Sequence, residues 1–427
     1  MKILGAQIAS FNEQEALNHQ TQFSYLRDQL GSKGINVDRL IRKIANLQIA
    51  IPSWALGAGG TRFGRFSYAG EPGNLEQKLE DIGTLHALTR AAGAVSLHIP
   101  WDIPEDFAAL RQKAAELDIV FDAVNSNTFQ DQKDQEHSYK FGSLCHTSKA
   151  VREQAIAHNK EVIDIGERLG SKSITVWLAD GASFPGQHNL RGALVNTLNS
   201  LREIHDYLPD DWRMFIEYKP YEPNFYSTVI QDWGTSFLLA NECGEKAYTL
   251  VDLGHHLPNT NIEQIVATLM MRGKLGGFHF NDSKYGDDDL TVGAIKPYQL
   301  FLIFHELVYG MDQNIANNPP LAWMIDASHN VKDPLEDLIQ SLEAIRLAYA
   351  QALIIDQTAL MAAQHQNDPV LAQEVLQEAF RTDVRPLLKE ARLRSGGVLN
   401  PIAAYRAFQI RKQLISERGK TTVATGL

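Results

Sequence analysis

Eight βα units closing into a (β/α)8 TIM barrel, an α/β architecture, is what the pattern of this chain predicts. Three observations point there. Eight short apolar runs bounded by turn residues are spaced along residues 47–326. Helix-patterned stretches fill the gaps between them. Four of the runs end in a residue able to ligate a metal: Phe215-Ile216-Glu217, Leu250-Val251-Asp252, Gly277-Phe278-His279 and Met324-Ile325-Asp326. A barrel gathers the carboxyl ends of its strands at one rim, so those four side chains would converge.

In chain order the expected strands are 47–53, 94–99, 119–124, 173–177, 213–218, 247–253, 275–280 and 321–326. Among the intervening helices are 148–169, 190–208, 262–273 and 334–350, whose apolar residues recur at three-to-four spacing and would coat the sheet. The strand ends carry Trp54, His98, Asn125, Trp177, Glu217, Asp252, His279 and Asp326, all polar or amphipathic. Ahead of the barrel (47–355), the segment 1–46 is expected to be helical, with two helices over 13–46. Behind it, 356–427 reads as an α-helical extension, broken at Gly396-Gly397 and ending in a basic tail. That extension is expected to pack on the barrel or on a neighbouring subunit.

Composition narrows the function. At 427 residues and 44% hydrophobic content the chain can bury a large core. Acidic residues outnumber basic ones, 51 to 40, for a net charge of -11, and no long basic run is present to grip a phosphate backbone. Nucleic acid is therefore not an expected partner. Cys145 and Cys243 form no disulfide or zinc motif and read as buried free thiols. Polar Gln7, Ser10 and Asn12 interrupt any leader-like start, and no apolar stretch is long enough to span a membrane. The expectation is a cytoplasmic protein without a membrane partner.

Each polar motif has an ordinary explanation when taken alone. Glu217 and Lys219, two apart on one strand, point to the same face, as a rim ion pair would. Asp252 could cap a helix, and His255 and His256 could lie on a surface loop. The acidic run Asp287-Asp288-Asp289 after His279 could be solvated, and Asp326 could cap the helix that opens near Asp333. In combination they make a cage. Strand alternation favours Asp287 and Asp289 over Asp288, giving seven donors: Glu217, Asp252, His255, His279, Asp287, Asp289 and Asp326. Oxygen and imidazole donors without thiolate suit manganese, magnesium, cobalt or zinc, and seven donors fit two such ions. Aromatic residues share the rim, namely Trp54, Trp101, Phe129 and Trp177. Their faces suit the C–H side of a sugar, and His98 could hydrogen-bond a hydroxyl or ring oxygen.

These residues resemble the metal-dependent L-rhamnose isomerases, in particular the shorter bacterial branch that also handles D-allose and D-psicose. The likeness is carried by Ile216-Glu217-Tyr218-Lys219-Pro220, Val251-Asp252-Leu253-Gly254-His255-His256, Phe278-His279-Phe280-Asn281-Asp282-Ser283-Lys284, Asp287-Asp288-Asp289 and Ile325-Asp326-Ala327-Ser328-His329-Asn330. The Gly-rich stretch 54–63 and Ala391-Arg392-Leu393-Arg394-Ser395-Gly396-Gly397 add to it. The resemblance implies a structural metal on Glu217, Asp252, His279 and Asp326, and a catalytic one on His255, Asp287 and Asp289. It also implies manganese as the ion, a homotetramer, and Phe63 reaching a neighbouring subunit's pocket.

The expected reaction exchanges L-rhamnose with L-rhamnulose by a hydride shift between C2 and C1, with Lys219 stabilising charge on O1. Lys219, Glu217, Asp326 and His255 are the candidate catalytic residues. A cis-enediol route using Glu217 or Asp326 as base is the alternative mechanism. Other sugar isomerases or epimerases on this barrel, a metal-dependent abasic-site endonuclease and a non-catalytic sugar-binding barrel are the rival functions.

Overall fold

A computed structural model of the chain describes residues 3, 5–56, 68–222, 225–313, 321–327 and 331–420. Its centre is a closed barrel of eight parallel strands. They are β1 (Ala50–Pro52), β2 (Ala94–His98), β3 (Val120–Asn125), β4 (Ser173–Val176), β5 (Arg213–Glu217), β6 (Ala247–Asp252), β7 (Leu275–Phe280) and β8 (Ala322–Ile325). Each strand pairs with the next in sequence, and β8 returns to β1 with Met324 opposite Ala50. This is the (β/α)8 barrel expected from the strand pattern. All but the first strand begin and end within one residue of the expected positions. The first is shorter because Val37–Asn46 is still helical just before it, and Ser53–Leu56 winds into a 3-10 turn just after it.

Alternation along the strands sorts the barrel into layers. Ala123, Phe215, Leu250 and Ala322 pack together in one interior cluster, and Ala50, Ala94 and Met324 pack in another beneath Trp54. Two glycines in β7 make room for the first layer. A Cβ on Gly276 would lie 2.6 Å from the Phe215 ring, and one on Gly277 would lie 2.2 Å from the Ala322 carbonyl oxygen. Two residues beyond Phe215, Leu250 and Gly277, on the same face, come Glu217, Asp252 and His279.

The expected helices form as Lys149–Leu169, Leu190–Tyr207, Ile262–Met271 and Pro334–Leu353. The last opens on Asp333, whose carboxylate accepts from the Leu335 amide at 2.9 Å, so the cap is Asp333 and Asp326 is left for the rim. The 13–46 region holds two helices, Ala16–Ser32 and Val37–Asn46, preceded by a third, Gly5–Glu13, within the segment expected to be helical. The extension contributes five: Gln357–His365, Pro369–Arg381, Arg385–Arg394, Pro401–Ala407 and Ile410–Arg418. It folds back on the N-terminal helices. Asn12 bridges the Gly397 carbonyl (3.0 Å) and the Leu399 amide (2.8 Å), and His19 meets Glu390 at 2.8 Å. Both cysteines are free and buried. Among the described residues, no single helix is long and apolar enough to cross a membrane.

At the amino ends of the strands, fully buried Arg346 donates to the carbonyls of Leu47 (3.3 Å), Thr89 (3.0 Å) and Arg90 (2.6 Å). It thereby ties the chain entering β1 to the chain entering β2. Arg346→Met removes its donors from the buried Leu47 and Thr89 carbonyls, each worth about 1–3 kcal/mol when orphaned, while the Arg90 carbonyl keeps Gln48 Nε2 at 3.1 Å, and relief of the buried charge offsets part of the loss. A net loss of about 3 kcal/mol is expected in urea unfolding. Metal affinity should not change, because the site lies at the other end of the barrel.

Candidate metal centre

Glu217 closes β5, Asp252 closes β6, His279 is the penultimate residue of β7, and Asp326 directly follows β8. His255 comes from the tight turn after β6. There Gly254 donates its amide to Asp252 Oδ1 at 2.7 Å and a Cβ would sit 3.1 Å from Asn281 Oδ1. Asn281 donates to the same Asp252 oxygen at 2.9 Å. Asp252 Oδ1 is thus held by two donors, while Oδ2 is buried with no hydrogen-bond partner among the described residues.

The loop carrying Asp287 and Asp289 is built to present them. Asp282 and Leu290 exchange backbone hydrogen bonds at 2.9 Å across its base, and the Asp282 carboxylate accepts from the amides of Ile295 (2.6 Å) and Lys296 (2.9 Å). Asp288 turns back to accept from the Lys284 amide at 2.5 Å and the Tyr285 amide at 2.8 Å. Its carboxylate braces the loop. Asp289 adopts a left-handed backbone (φ 47°) and hydrogen-bonds Asp287.

The donors form one contiguous cluster. His279 Nδ1 lies 3.1 Å from Glu217 Oε1, 3.7 Å from Asp326 Oδ2 and 3.8 Å from Asp252 Oδ2. His255 lies 3.2 Å from Glu217 and 3.3 Å from Asp287. Two groups have ligand atoms within 4.8 Å of one another, Glu217–Asp252–His279 and Asp252–His255–Asp287, and Asp252 belongs to both. Asp326 and Asp289 flank these groups. Asp252 is therefore common to both candidate donor groups, where the family resemblance implied a ligand of one ion only.

Five carboxylates crowd together here, Glu217, Asp252 and Asp287 buried and Asp289 and Asp326 half-buried, and the charges distort their proton equilibria. Burial, reinforced by the neighbouring carboxylates, pushes Asp252 up to about 7 and raises Asp326 and Asp289 as well. Burial opposes a charge on His279, but Glu217 outweighs it and holds the imidazole up to about 9. His255 is raised against burial by Asp252 and Asp287, and Glu217 is lowered against burial by the two histidines. Without a cation the cluster stays together by taking up protons. An oxygen- and imidazole-rich donor set with an unpartnered Asp252 oxygen at its centre fits divalent metal ions, which supply the missing positive charge.

Lys219 lies on the far side of Asp287, its ammonium 2.5 Å from Asp287 Oδ2 and 2.8 Å from Glu222 Oε2. Glu222 was missed in the sequence, although its spacing three residues after Lys219 could have indicated it. His256 accepts from the Tyr218 hydroxyl at 2.6 Å and is driven down to about 3 by burial, so a neutral ring braces the Gly254 turn.

The aromatic candidates form one wall. His98 stacks on Trp101 (4.2 Å between centroids) and meets Trp54 and Phe129 edge-on, each at 5.5 Å, while Phe129 packs on Trp177 at 4.7 Å. Lys219 lies 5.6 Å from the Trp177 ring centroid, at one end of the wall. At the other end Trp54 Nε1 donates to Asp326 Oδ1 at 3.0 Å, joining wall to cage. Burial takes His98 down to about 3, so it is neutral. Beneath it Asp102, unanticipated, accepts from the His98 amide (2.9 Å), the Ser53 hydroxyl and Lys78 (2.7 Å). Phe63, with the glycine-rich residues around it, and Ser328-His329-Asn330 lie outside the described residues.

A closed βα barrel with a carboxylate–histidine cage at its carboxyl rim is a TIM barrel with donor groups able to hold a divalent metal. The chain belongs to the xylose isomerase-like TIM barrel family, which matches residues 87–329. It is 54% identical over 396 residues to a probable sugar isomerase of Rhizobium meliloti, covering 93% of this chain and 92% of that one. A probable sugar isomerase of Mesorhizobium japonicum is 50% identical over 407 residues, covering 95% and 94%. Among solved structures, L-ribulose 3-epimerase superposes with a TM-score of 0.53 at 15% identity, over 75% of this chain and 99% of that chain. The 3-keto-D-glucoside 4-epimerase of E. coli gives 0.52 at 14%, over 70% and 99%. At such identities these two share the fold.

The cage predicts how pH and metal act together. An Asp252 carboxyl raised from 3.8 to about 7, and a His279 imidazole raised from 6.5 to about 9, each contribute stability that is complete at low pH. That stability is lost as pH rises through the folded-state values. In chelator, therefore, this part of the stability should fall between about pH 4 and 9, first with Asp252 and then with His279, whereas bound metal replaces the protons. Thermal midpoints with and without manganese should diverge as pH rises. A metal-induced increment that is constant or shrinks would contradict this account of the site.

Proposed function

We propose that the protein is a divalent-metal-dependent aldose–ketose isomerase that interconverts L-rhamnose and L-rhamnulose. D-Allose and D-psicose are proposed as further substrates, manganese as the ion in both centres, and a homotetramer as the assembly. The observation that carries the reading is the pair of donor groups sharing Asp252, with Lys219 beside one of them and an aromatic wall facing both. The identity to probable sugar isomerases over nearly the whole chain supports it. The choice of L-rhamnose rests on the motifs around Glu217, Asp252, His279 and Asp326.

Glu217, Asp252, His279 and Asp326 would hold one ion, and His255, Asp287 and Asp289 the other, with Asp252 reaching toward both. Divalent cations so held supply Lewis-acid polarisation of the sugar oxygens. The protein does the rest. Trp54, Trp101, Phe129 and Trp177 take the C–H side of the sugar and exclude water, and neutral His98 accepts from a hydroxyl. Buried Lys219 offers its ammonium to O1 as negative charge develops there. Two carboxylates are the candidates for proton abstraction at C2, and both are engaged. Glu217 faces the two histidines, and Asp326 Oδ1 is bound by Trp54. This favours direct hydrogen transfer from C2 to C1 over a cis-enediol.

L-Rhamnose deuterated at C2, isomerised in ordinary water, should then keep its label at C1 of the ketose, whereas extensive washout would establish the enediol route. Lys219→Met should lower kcat by about 10²–10³-fold, as loss of a charge-stabilising donor does. Asp289→Asn should abolish turnover. Absence of ketose from any of a panel of aldoses with added manganese would overturn the functional reading.

A further inference from the structure

The last described helix, Ile410–Arg418, has no part in the cage, yet it lies at the carboxyl end of the barrel against the segments that follow β1 and β8. Arg411 makes a two-pronged pair with Asp333 (2.8 and 2.7 Å), seven residues beyond Asp326, and Tyr405 donates its hydroxyl to the same carboxylate at 2.8 Å. Arg411 also reaches the Ala69 carbonyl (3.3 Å) and lies over the Tyr68 ring, on the segment that follows β1 and Trp54. One side chain thus joins Tyr68 and Ala69, downstream of Trp54 in sequence, to Asp333, downstream of Asp326.

Seven residues on, Arg418 repeats the device. It pairs with buried Asp81 (2.8 Å) and donates to the carbonyls of Gly70 (3.3 Å) and Gln77 (3.2 Å). Asp81 lies on the helix Leu75–Thr89, which also carries Lys78, the partner of Asp102 under His98 and Ser53. A polar chain therefore runs from Arg418 through that helix to the floor of the aromatic wall. The docking is close. Gly70 has φ +78°, its amide meets the Gly419 carbonyl at 3.1 Å, and a Cβ there would lie 2.8 Å from the Ile415 amide nitrogen. No side chain fits between helix and segment.

We propose that this C-terminal helix belongs to the active site as a positioning element. Arg411 and Arg418 fix the segments after β1 and β8, so that Trp54, His98 and Asp326 keep their places around the sugar. The proposal rests on the reading of that pocket as a sugar site. Arg411 and Arg418 act through other residues and do not touch substrate.

The test compares Arg411→Met and Asp333→Asn with Arg392→Met in the full-length protein. Arg392 is a buried arginine of the same extension, holding the Val398 and Leu399 carbonyls at the opposite end of the barrel. Hydrogen exchange is read at residues 53–56 and 325–327, alongside kcat and KM for L-rhamnose. The first two variants should speed exchange in both segments and lower kcat/KM by about tenfold, chiefly through KM. Their double variant should lose less than the sum of the two singles, since both break the Arg411–Asp333 pair. Arg392→Met should lower the thermal midpoint and leave exchange in both segments and kcat/KM within twofold of the parent. If Arg411→Met does not fold, Arg411→Lys, which keeps the charge without the planar fork, should shift exchange in the same direction by less. Unchanged exchange in the Arg411 and Asp333 variants overturns the proposal. Altered exchange in an enzyme whose parent turns over no aldose leaves it standing and overturns the functional reading instead.

Discussion

The structure is organised around a repulsion. Glu217, Asp252, Asp287, Asp289 and Asp326 are drawn from four places in the chain into one largely buried space, with Lys219 and two imidazoles to offset them. Desolvated like charges at this spacing cannot all persist, and the group answers by binding protons or cations. Asp252 shows the design most clearly. The Gly254 amide and the Asn281 amide group fix one of its oxygens and leave the other at the junction of two donor groups. A turn that could hold a ligand in only one orientation needs the glycine, the asparagine and the Tyr218–His256 bond behind it, and all of them are present.

Much of the fold and most of the cage were legible in the sequence because both are written locally. Alternation with period two marks which strand residues face inward, and a polar residue at the end of an apolar run marks the rim. The same alternation separated Asp287 and Asp289 from Asp288, which proves to brace its own loop. The residues that went unread are those whose partners are remote. Asp102 has meaning only once Lys78, Ser53 and His98 surround it, and Arg346 only once three carbonyls from two other segments converge on it. Nothing in their own neighbourhoods distinguishes them from surface charges. Glu222 is the intermediate case, close to Lys219 in sequence but beyond the end of the strand that made Glu217 and Lys219 conspicuous.

Buried arginines divide the work between the two ends of the barrel. At the amino end, Arg346 and Arg392 satisfy main-chain carbonyls where strands begin and where the extension turns. At the carboxyl end, Arg411 and Arg418 meet carboxylates on the segments that frame the pocket. An arginine bound to buried carbonyls of strand-entry segments serves stability, since it satisfies main-chain acceptors cut off from water. An arginine bound to side chains of rim segments fixes where those segments lie. A scaffold whose βα loops carry the chemistry gains from such external ties, because loops alone hold groups less sharply than strands do.

Trp54 shows why wall and cage are one device. Its ring borders His98, and its indole N–H holds Asp326 Oδ1, so the residue that shapes the proposed sugar pocket also orients a ligand candidate. A phenylalanine in its place would keep the apolar face and lose the donor, leaving that carboxylate free to rotate. The same coupling runs the other way, since a cation drawing on Asp326 settles the indole and, through it, the edge of the wall. Substrate fit and metal geometry therefore cannot be tuned separately at this corner. That explains why the segments on both sides of it, after β1 and after β8, are tied to a single helix.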